Sequence, residues 1–152
     1  MFTNDSGWTM VSGDVRVSIS VIDRIILHLW EQDHQADHYL VTYELTRPGI
    51  AEVCALHPPN VSRTMREIMN NGWASEHTRA IIDEERRQKT WQLTEYGRKE
   101  AIARVSSLRS ITVILRDRNN ALLEVKADEA ASHLEANLTL LQILMHAQHE
   151  GV

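Results

Sequence analysis

Residues 45–73 read LTRPGIAEVCALHPPNVSRTMREIMNNGW, and they decide the fold because they encode two short helices separated by a tight turn. Thr46 can cap the first helix, with Pro48 in its first turn, where a missing N–H costs nothing. The proline pair at residues 58–59 must end that helix, yet it is acceptable in the first turn of the next. Gly72 is placed to end the second helix. A turn of about three or four residues between two helices is the spacing of a helix-turn-helix.

The second helix of this pair has one apolar side and one polar side. The apolar side carries Val61, Met65, Ile68 and Met69, and the polar side carries Asn60, Ser62, Arg63, Arg66 and Asn70. A helix fits the major groove of B-DNA, where arginine can bind guanine bidentately, asparagine can bind adenine, and serine can bind a base or a phosphate. The polar side therefore suits nucleic acid, although a solvated helix face is the simpler interpretation.

The flanking residues predict the elements around this helix pair. Ser20 followed by Asp23 resembles a capping box and begins a helix of about a dozen residues. YLVTYEL, at residues 39–45, favours a short strand. After the helix pair, the sequence has the pattern of a β-hairpin with a polar tip: the strands are WASEHTRAIID and QKTWQLT, and the tip is EERR. Thr94 can then cap a further helix that runs to about Leu108.

The C-terminal residues predict a second hairpin and a long helix. The hairpin consists of ITVILRD and ALLEVK as strands, with RNN as an asparagine turn between them. Two roles are open for residues 111–126: to shape a dimer, or to dock a partner protein along an exposed strand edge. From Asp128 onwards one long helix is predicted. Its seam consists of Leu134, Leu138, Leu141 and Met145. The seam would pack against another helix, either that of a second copy or the first helix of the same chain.

Composition limits the classes of protein that this chain can be. The 152 residues are enough for one domain with a real core, and 43% hydrophobic with 24% charged residues is the balance of an ordinary globular protein. A formal net charge of −5 argues against a protein that coats nucleic acid indiscriminately, because that binding is driven by phosphate neutralisation. It does not exclude a local basic surface.

Cysteine content and hydropathy predict a cytoplasmic protein. Cys54 is the only cysteine, so neither an internal disulfide nor a cysteine-based zinc site can form, and a small apolar role is expected for it. The N-terminus has Asp5 where a signal peptide carries basic residues, and no apolar stretch approaches the ~20 residues of a membrane span. We therefore expect no membrane association.

The histidines raise a metal hypothesis that the sequence does not complete. One cluster contains Asp33, His34, Asp37 and His38, and a pair on the last helix contains His146 and His149. Neither cluster includes a full tetrahedral ligand set, so no metal and no cofactor is predicted. No P-loop, dinucleotide glycine motif, nucleophile elbow or zinc-protease motif occurs in the chain. The sequence therefore predicts that the protein is not an enzyme.

Three stretches together resemble a known family. The family is that of archaeal winged helix-turn-helix transcriptional regulators, relatives of the MarR type. The support helix of that family resembles LTRPGIAEVCAL, and its recognition helix resembles VSRTMREIMNNGW. Its wing, with the helix that follows, resembles ERRQKTWQLTEYGRKEA. LTEYG is the most specific part. The later ITVILRDRNNALLEVKADEA is similar to a segment that follows the winged helix in those proteins, so the resemblance covers roughly residues 20–130. It implies sequence-specific binding of double-stranded DNA as a homodimer, with a small-molecule effector as an open option.

The expected fold is mainly α with small β-hairpins (α+β). Residues 1–17 are expected as a flexible N-terminal arm, residues 18–108 as a winged helix-turn-helix DNA-binding domain, and residues 109–152 as a β-hairpin plus a C-terminal helix that serves as the dimerisation element. Two functions stay open. The first is a dimeric DNA-binding regulator, and the second is a winged-helix protein-protein interaction module without DNA binding.

The site residues divide by role if the protein binds DNA. The base contacts are assigned to Asn60, Ser62, Arg63 and Arg66. The wing cations, which would reach a backbone phosphate or the minor groove, are Arg86, Arg87 and Lys89. Thr46 and Arg47 could add a phosphate contact through exposed N–H groups and positive charge. The alternative for the wing arginines is pairing with Asp83, Glu84 and Glu85.

Overall fold

The computed structural model describes residues 6–11 and 18–148. They form two compact units, one of residues 20–104 and one that combines the described residues before position 20 with those from position 105 onwards. Each unit contains helices and a three-stranded sheet, so the predicted α+β class is confirmed. Among the described residues, no helix is long and apolar enough to cross a membrane.

The elements follow one another in chain order. They are β1 (Thr9–Met10), α1 (Val21–Glu31), β2 (Leu40–Val41), α2 (Arg47–Val53), α3 (Pro58–Asn70), β3 (Ala74–Ile81), β4 (Arg87–Leu93), α4 (Glu95–Arg109), β5 (Thr112–Arg116), β6 (Leu122–Lys126), α5 (Ala127–Leu134) and α6 (Leu140–Ala147). The first sheet has the order β2-β3-β4 and the second has the order β1-β5-β6.

Side-chain caps begin three of the helices at the predicted residues. The hydroxyls of Ser20, Thr46 and Thr94 each accept a hydrogen bond from the backbone N–H three residues further on, at 3.1, 3.1 and 2.9 Å. Each bond satisfies one of the N–H groups that a helix start leaves without a partner. The predicted starts of α1, α2 and α4 are therefore confirmed.

Helices α2 and α3 form the predicted pair, separated by residues 54–57. The turn contains Ala55 at φ 54°, and the Leu56 N–H bonds back to the Ala51 carbonyl at 2.8 Å. α3 ends as expected, because Gly72 adopts φ 76°, a left-handed conformation that glycine takes without strain. The turn is thus short enough to hold the two helices against each other.

The first sheet is built on an antiparallel hairpin. Ala74 lies opposite Leu93 and Ala80 lies opposite Arg87, which confirms the predicted wing hairpin. β2 runs parallel to β3, with Leu40 beside Ala80. The core beneath contains Ile25, Ile26, Leu27, Leu29, Val41, Leu45, Ile50, Val61, Met65, Ile68, Ile81 and Leu93, all buried. Three of the four residues predicted for the apolar side of α3, Val61, Met65 and Ile68, therefore face this core, whereas Met69 is half-buried.

The strand predicted at residues 39–45 is mostly wrong. Only Leu40–Val41 pair as a strand, and residues 43–45 form a 3₁₀ turn instead. Pairing ends because the Thr42 N–H donates to the Gln35 side-chain oxygen at 2.8 Å rather than to a neighbouring strand. The Thr46 N–H then bonds to the Tyr43 carbonyl at 3.0 Å, which turns the chain into α2.

The second sheet recruits a strand from the N-terminal residues. β5 and β6 form the predicted hairpin, with Val113 opposite Val125. β1 pairs antiparallel with β5, and Thr9 lies opposite Arg116. The residues expected as a flexible arm, 1–17, therefore include a short edge strand, and the side of β1 that faces β5 has its backbone groups paired there. Residues 1–5 and 12–17 lie outside the described part of the chain.

The single long C-terminal helix is also wrong, because the chain breaks it into α5 and α6. Glu135 adopts φ 52°, which ends α5, and Thr139 begins α6 with a capping box in which Gln142 takes part. Leu138 lies between the two helices, so the predicted seam is interrupted. Leu134 and Leu141 are buried within their own unit, whereas Leu138 and Met145 are half-buried. A dimerisation role for these four side chains stays a prediction.

Candidate nucleic-acid interface

The outer face of α3 presents the four side chains expected to contact bases. Arg63 and Arg66 are exposed, and Asn60 and Ser62 are half-buried. Arg63 donates from Nη2 to the Asn60 Oδ1 at 2.8 Å, so the two side chains meet on the first turns of the helix. The bond orients the guanidinium relative to the amide and leaves the other N–H groups of the arginine free to bind a ligand.

Arg47 extends this polar face across the turn. It lies at the start of α2, is exposed, and donates from Nη1 to the Ser62 Oγ on α3 at 3.3 Å. The contact brings a third guanidinium beside the outer face of α3 although 15 residues separate Arg47 from Ser62 in sequence. The helix pair thus combines the predicted base-contact residues with one predicted phosphate contact.

Thr46 does not offer the exposed N–H group that was expected there. The residue is fully buried, with 0% of its surface exposed. Its hydroxyl donates to the Tyr43 carbonyl at 2.7 Å and accepts from the Gly49 N–H, and its own N–H donates to Tyr43 at 3.0 Å. Pro48 has no N–H to add. Thr46 is therefore a buried helix cap, and a phosphate contact at the start of α2 stays a prediction for the exposed Arg47.

The wing cations have different surroundings. Arg87 donates from Nη2 to the Tyr39 hydroxyl at 2.7 Å, and its guanidinium lies 5.1 Å from the centre of the Tyr39 ring, a cation–π distance. Arg86 lies in the exposed turn between β3 and β4. Within the described residues no ion pair joins these arginines to Asp83, Glu84 or Glu85. Glu84 instead accepts a hydrogen bond from the side chain of Gln88.

Lys89 faces a carboxylate across the hairpin. Its Nζ lies 3.9 Å from the Glu76 Oε2, and 70% of the lysine side chain is exposed. A pair this exposed contributes little to stability, because water and salt screen it. Lys89 is therefore available to a phosphate, with Glu76 as a competitor.

A groove of about 650 Å³ brings the helix pair and the wing together. Its polar lining consists of Arg47, Ser62, Arg66, Glu76, Gln88 and Lys89. The groove therefore has three cations against one carboxylate, and the cations come from three different elements. Such a concentration of positive charge favours a polyanion locally, even though the formal charge of the chain is −5.

Glu76, Gln88 and Tyr39 are residues of this surface that the sequence interpretation did not select. Glu76 reaches the groove because the register of the hairpin places it opposite Trp91, on the same side as Lys89. Period-two alternation could have shown that Glu76 lies on one face of β3, but not which face. Nothing local in the sequence indicates the contact between Tyr39 and the wing.

The histidine-rich segment after α1 has a structural role for its carboxylates. Asp33 accepts from the Arg98 Nε at 2.9 Å, and the Asp37 Oδ1 accepts from the Gln92 Nε2, also at 2.9 Å. The hydrogen bond from Gln92 is the main cause that lowers the pKa of Asp37. No group of three metal-ligating side chains occurs among the described residues, and His149 lies outside them.

Cys54 behaves as the small apolar side chain that was expected. It is buried beside α1, and its Sγ–H donates to the Arg24 carbonyl at 3.7 Å. Burial raises the pKa of the Cys54 thiol to about 12. The thiol therefore stays protonated at neutral pH, and it is neither a nucleophile nor a metal ligand there.

No protein-family model matches the sequence, and no curated protein matches it either. Among solved structures, the chain is similar to the crystal structure of MepR, a transcription regulator of the Staphylococcus aureus multidrug efflux pump MepA, at 26% identity and a TM-score of 0.42. It is also similar to a mutant of S. aureus MepR, at 24% identity and a TM-score of 0.43. Each match covers 59% of this chain and 58% of the other, so the chain matches less than two thirds of either protein.

Proposed function

We propose that this protein is a sequence-specific regulator of transcription that binds double-stranded DNA as a homodimer through a winged helix-turn-helix at residues 18–108. The observation that carries the proposal is the groove in which Arg47, Arg66 and Lys89, from α2, α3 and β4, converge beside Ser62. The order helix, short strand, helix, turn, helix and hairpin supports the winged helix. α3 is the element that enters the major groove, and the wing follows the backbone or enters the minor groove.

In this proposal the outer face of α3 carries sequence recognition. Arg63 and Arg66 bind guanine, Asn60 binds adenine, and Ser62 binds a base edge or a phosphate. The hydrogen bond from Arg63 to Asn60 joins the two side chains before DNA arrives. Less side-chain freedom is then lost on binding, because one rotamer of each residue is already favoured.

The phosphate contacts come from the edges of the same surface. Arg47 and Lys89 border the groove, and Arg86 extends from the wing tip. Arg87 reaches a phosphate only by leaving the Tyr39 ring, so it contributes less. Since the net charge of −5 gives little long-range attraction, we expect weak binding to random DNA and a specificity that depends on the local surface.

Fluorescence anisotropy on labelled fragments from the gene's own upstream region tests the proposal, with a salt series and unlabelled random DNA as competitor. Specific binding should survive the competitor and fall steeply with salt. Arg66→Ala should remove it without changing the melting temperature, and Arg116→Ala, an exposed arginine on β5, is the matched control. A folded wild-type protein that binds no DNA at low salt would contradict the proposal.

A second candidate, a protein-protein interaction module, is favoured by apolar side chains on the edge of the first sheet. Tyr39, Leu40 and Ile82 are 72%, 49% and 44% exposed. An exposed apolar edge can take up a partner protein. If this function holds, Arg63→Ala and Arg66→Ala should leave partner binding unchanged, whereas Leu40→Asp should weaken it. A small-molecule effector stays a prediction of the resemblance alone.

A further inference from the structure

β6 is an edge strand with a free side. It is the last strand in the order β1-β5-β6, so among the described residues only β5 pairs with it. The Ala127 N–H bonds to the Ile111 carbonyl at 2.8 Å, and the Asp117 N–H bonds to the Ala121 carbonyl at 3.0 Å. Hydrogen-bonded pairs alternate along an antiparallel ladder, so the odd-numbered residues of β6 point their backbone groups at β5. The even-numbered residues point theirs away from it.

The outward backbone groups therefore belong to Leu122, Glu124 and Lys126. No described strand pairs with this side, but Lys126 caps the start of α5, so its carbonyl accepts the first hydrogen bond of that helix and only its N–H is left for pairing. The side chains of the same three residues are exposed, and that of Leu122 is 60% exposed, whereas Val125 is buried. A free edge of this kind is a template on which another strand can form a ladder.

Charge decides which strand fits this edge. Two copies of β6 can pair antiparallel about a twofold axis only in registers that match their outward groups. With Val125 opposite itself, Glu124 lies opposite Lys126 of the partner subunit, and the reverse pair forms as well. With Glu124 opposite itself, two carboxylates meet at the axis, which is unfavourable. With Leu123 opposite itself, Leu122 lies opposite Glu124 of the partner subunit and no opposite charges pair.

We propose that β6 is the surface through which two copies of this chain pair, edge to edge and antiparallel, in the register centred on Val125. Glu124 and Lys126 then form two cross-strand pairs of opposite charge. The Lys126 N–H donates to the carbonyl of Glu124 of the partner subunit, and the reverse bond forms as well, so the sheet continues across the twofold axis. The inference names the surface for the dimer in the proposed function, and so rests on that function. It gives the hairpin at residues 111–126 a specific role.

Charge reversal tests the register directly. Glu124→Lys alone places lysine opposite Lys126, and Lys126→Glu alone places glutamate opposite Glu124, so each change converts both pairs to like charges. The double variant restores both pairs in the reverse order. Sedimentation velocity across a concentration series should show a dimer for the wild type, dimerisation weakened at least about tenfold in each single variant, and recovery in the double variant.

Two controls separate assembly from folding. Glu52→Lys makes the same charge change at an exposed position near the C-terminal end of α2, where the helix dipole favours a cation, and should leave the dimer intact. Circular dichroism should give the same melting curve for monomeric single variants and for Glu52→Lys, after correction for concentration. Recovery in the double variant is itself evidence that the single variants fold, since it contains both substitutions.

The outcomes separate this inference from the proposed DNA binding. A wild-type protein that stays monomeric at every concentration, or a dimer that neither single variant weakens, would overturn the β6 interface. Either result could coexist with specific binding of Arg63 and Arg66 to a single DNA half-site in the anisotropy assay. A charge-dependent dimer that binds no DNA would support the β6 interface and contradict the proposed function instead.

Discussion

The two three-stranded sheets differ in what they leave exposed. In the first sheet, β2 is two residues long, and Thr46 forms a bridge with Thr90 on β4, so both edges are short or partly covered. Its exposed feature is a side-chain surface, where Lys89 and Glu76 face the groove beside α3. In the second sheet, no described strand pairs with the outer side of β6, and of its outward groups only the Lys126 carbonyl is used, at the start of α5.

This difference separates recognition by side chains from recognition by backbone. A side-chain surface can distinguish one base pair from another, because donors and acceptors differ from residue to residue. A backbone edge presents the same groups at every second residue, so only its side-chain charges can select a register. The first sheet therefore suits the binding of a nucleic acid, and the second suits pairing with a like strand.

The largest expected effect comes from breaking the support of the first sheet. Gly97, in the first turn of α4, lies so close to the residue before β3 that an added Cβ would be 1.7 Å from the Trp73 carbonyl oxygen. Gly97→Ala must shift the backbone, so we expect a loss of about 3 kcal/mol in the free energy of unfolding. Urea denaturation measures it, with Ser106→Ala, on the exposed side of α4, as a control that should stay within about 0.5 kcal/mol. Equal stabilities would show that the backbone yields here easily.

The next effect tests the side-chain surface itself. Arg63→Ala should cost about 1–3 kcal/mol of specific DNA binding, because it removes a bidentate base contact and also frees Asn60 from its hydrogen bond. Anisotropy with a set of single-base operator variants measures the change, and specificity should relax at one position. A uniform loss across all variants would instead make Arg63 a phosphate contact.

A smaller effect is expected for the pair that crosses the first hairpin. Lys89→Ala should weaken binding to every sequence by a similar factor and lower the salt slope by about 1, because a phosphate contact is lost. Glu76→Gln should change binding in the opposite direction, since it removes the carboxylate 3.9 Å from Lys89. Salt titrations of both variants measure these shifts. If Glu76→Gln weakened specific binding, Glu76 would be a base contact and not a competitor for Lys89.

The smallest effect near neutral pH concerns the core beneath the first sheet. His28 is 2% exposed, and its Nε2 lies 2.8 Å from the Glu44 carbonyl oxygen. Burial is the main cause that lowers the pKa of His28 below 6.5. Below pH 6.5, His28 therefore binds a proton more readily in the unfolded chain than in the folded one. The contribution of His28 to the free energy of unfolding is present above pH 6.5 and is lost as the pH falls below that value.

Unfolding measured between pH 5 and pH 8 (about three units around the ordinary histidine pKa) checks this slope. His28→Gln should flatten it, because the amide can donate to the same carbonyl without titrating. An unaltered slope in His28→Gln would assign the pH dependence to another group.

Much of the fold was predictable because it depends on interactions within three or four residues. The caps at Ser20, Thr46 and Thr94 are local patterns and are confirmed, and so is the apolar side of α3 except for Met69, which is half-buried. The break between α5 and α6 was local too, since the capping box of Thr139 and Gln142 can be read from the sequence. The leucine repeat suggested one helix and hid that signal.

Local patterns of side chains also selected most of the candidate surface, because the periodicity of α3 places Arg63 and Arg66 away from the core. Only the tertiary structure decided which of the other cations are available. Arg87 is held by Tyr39, 48 residues away in sequence, and β1 joins a strand about 100 residues later. Contacts of that range depend on how elements pack and on strand register, neither of which a single sequence specifies residue by residue. The sequence by itself determined the helices, their caps and the polar face of α3, whereas tertiary packing decided the burial of Thr46, the partners of the wing cations and the free edge of β6.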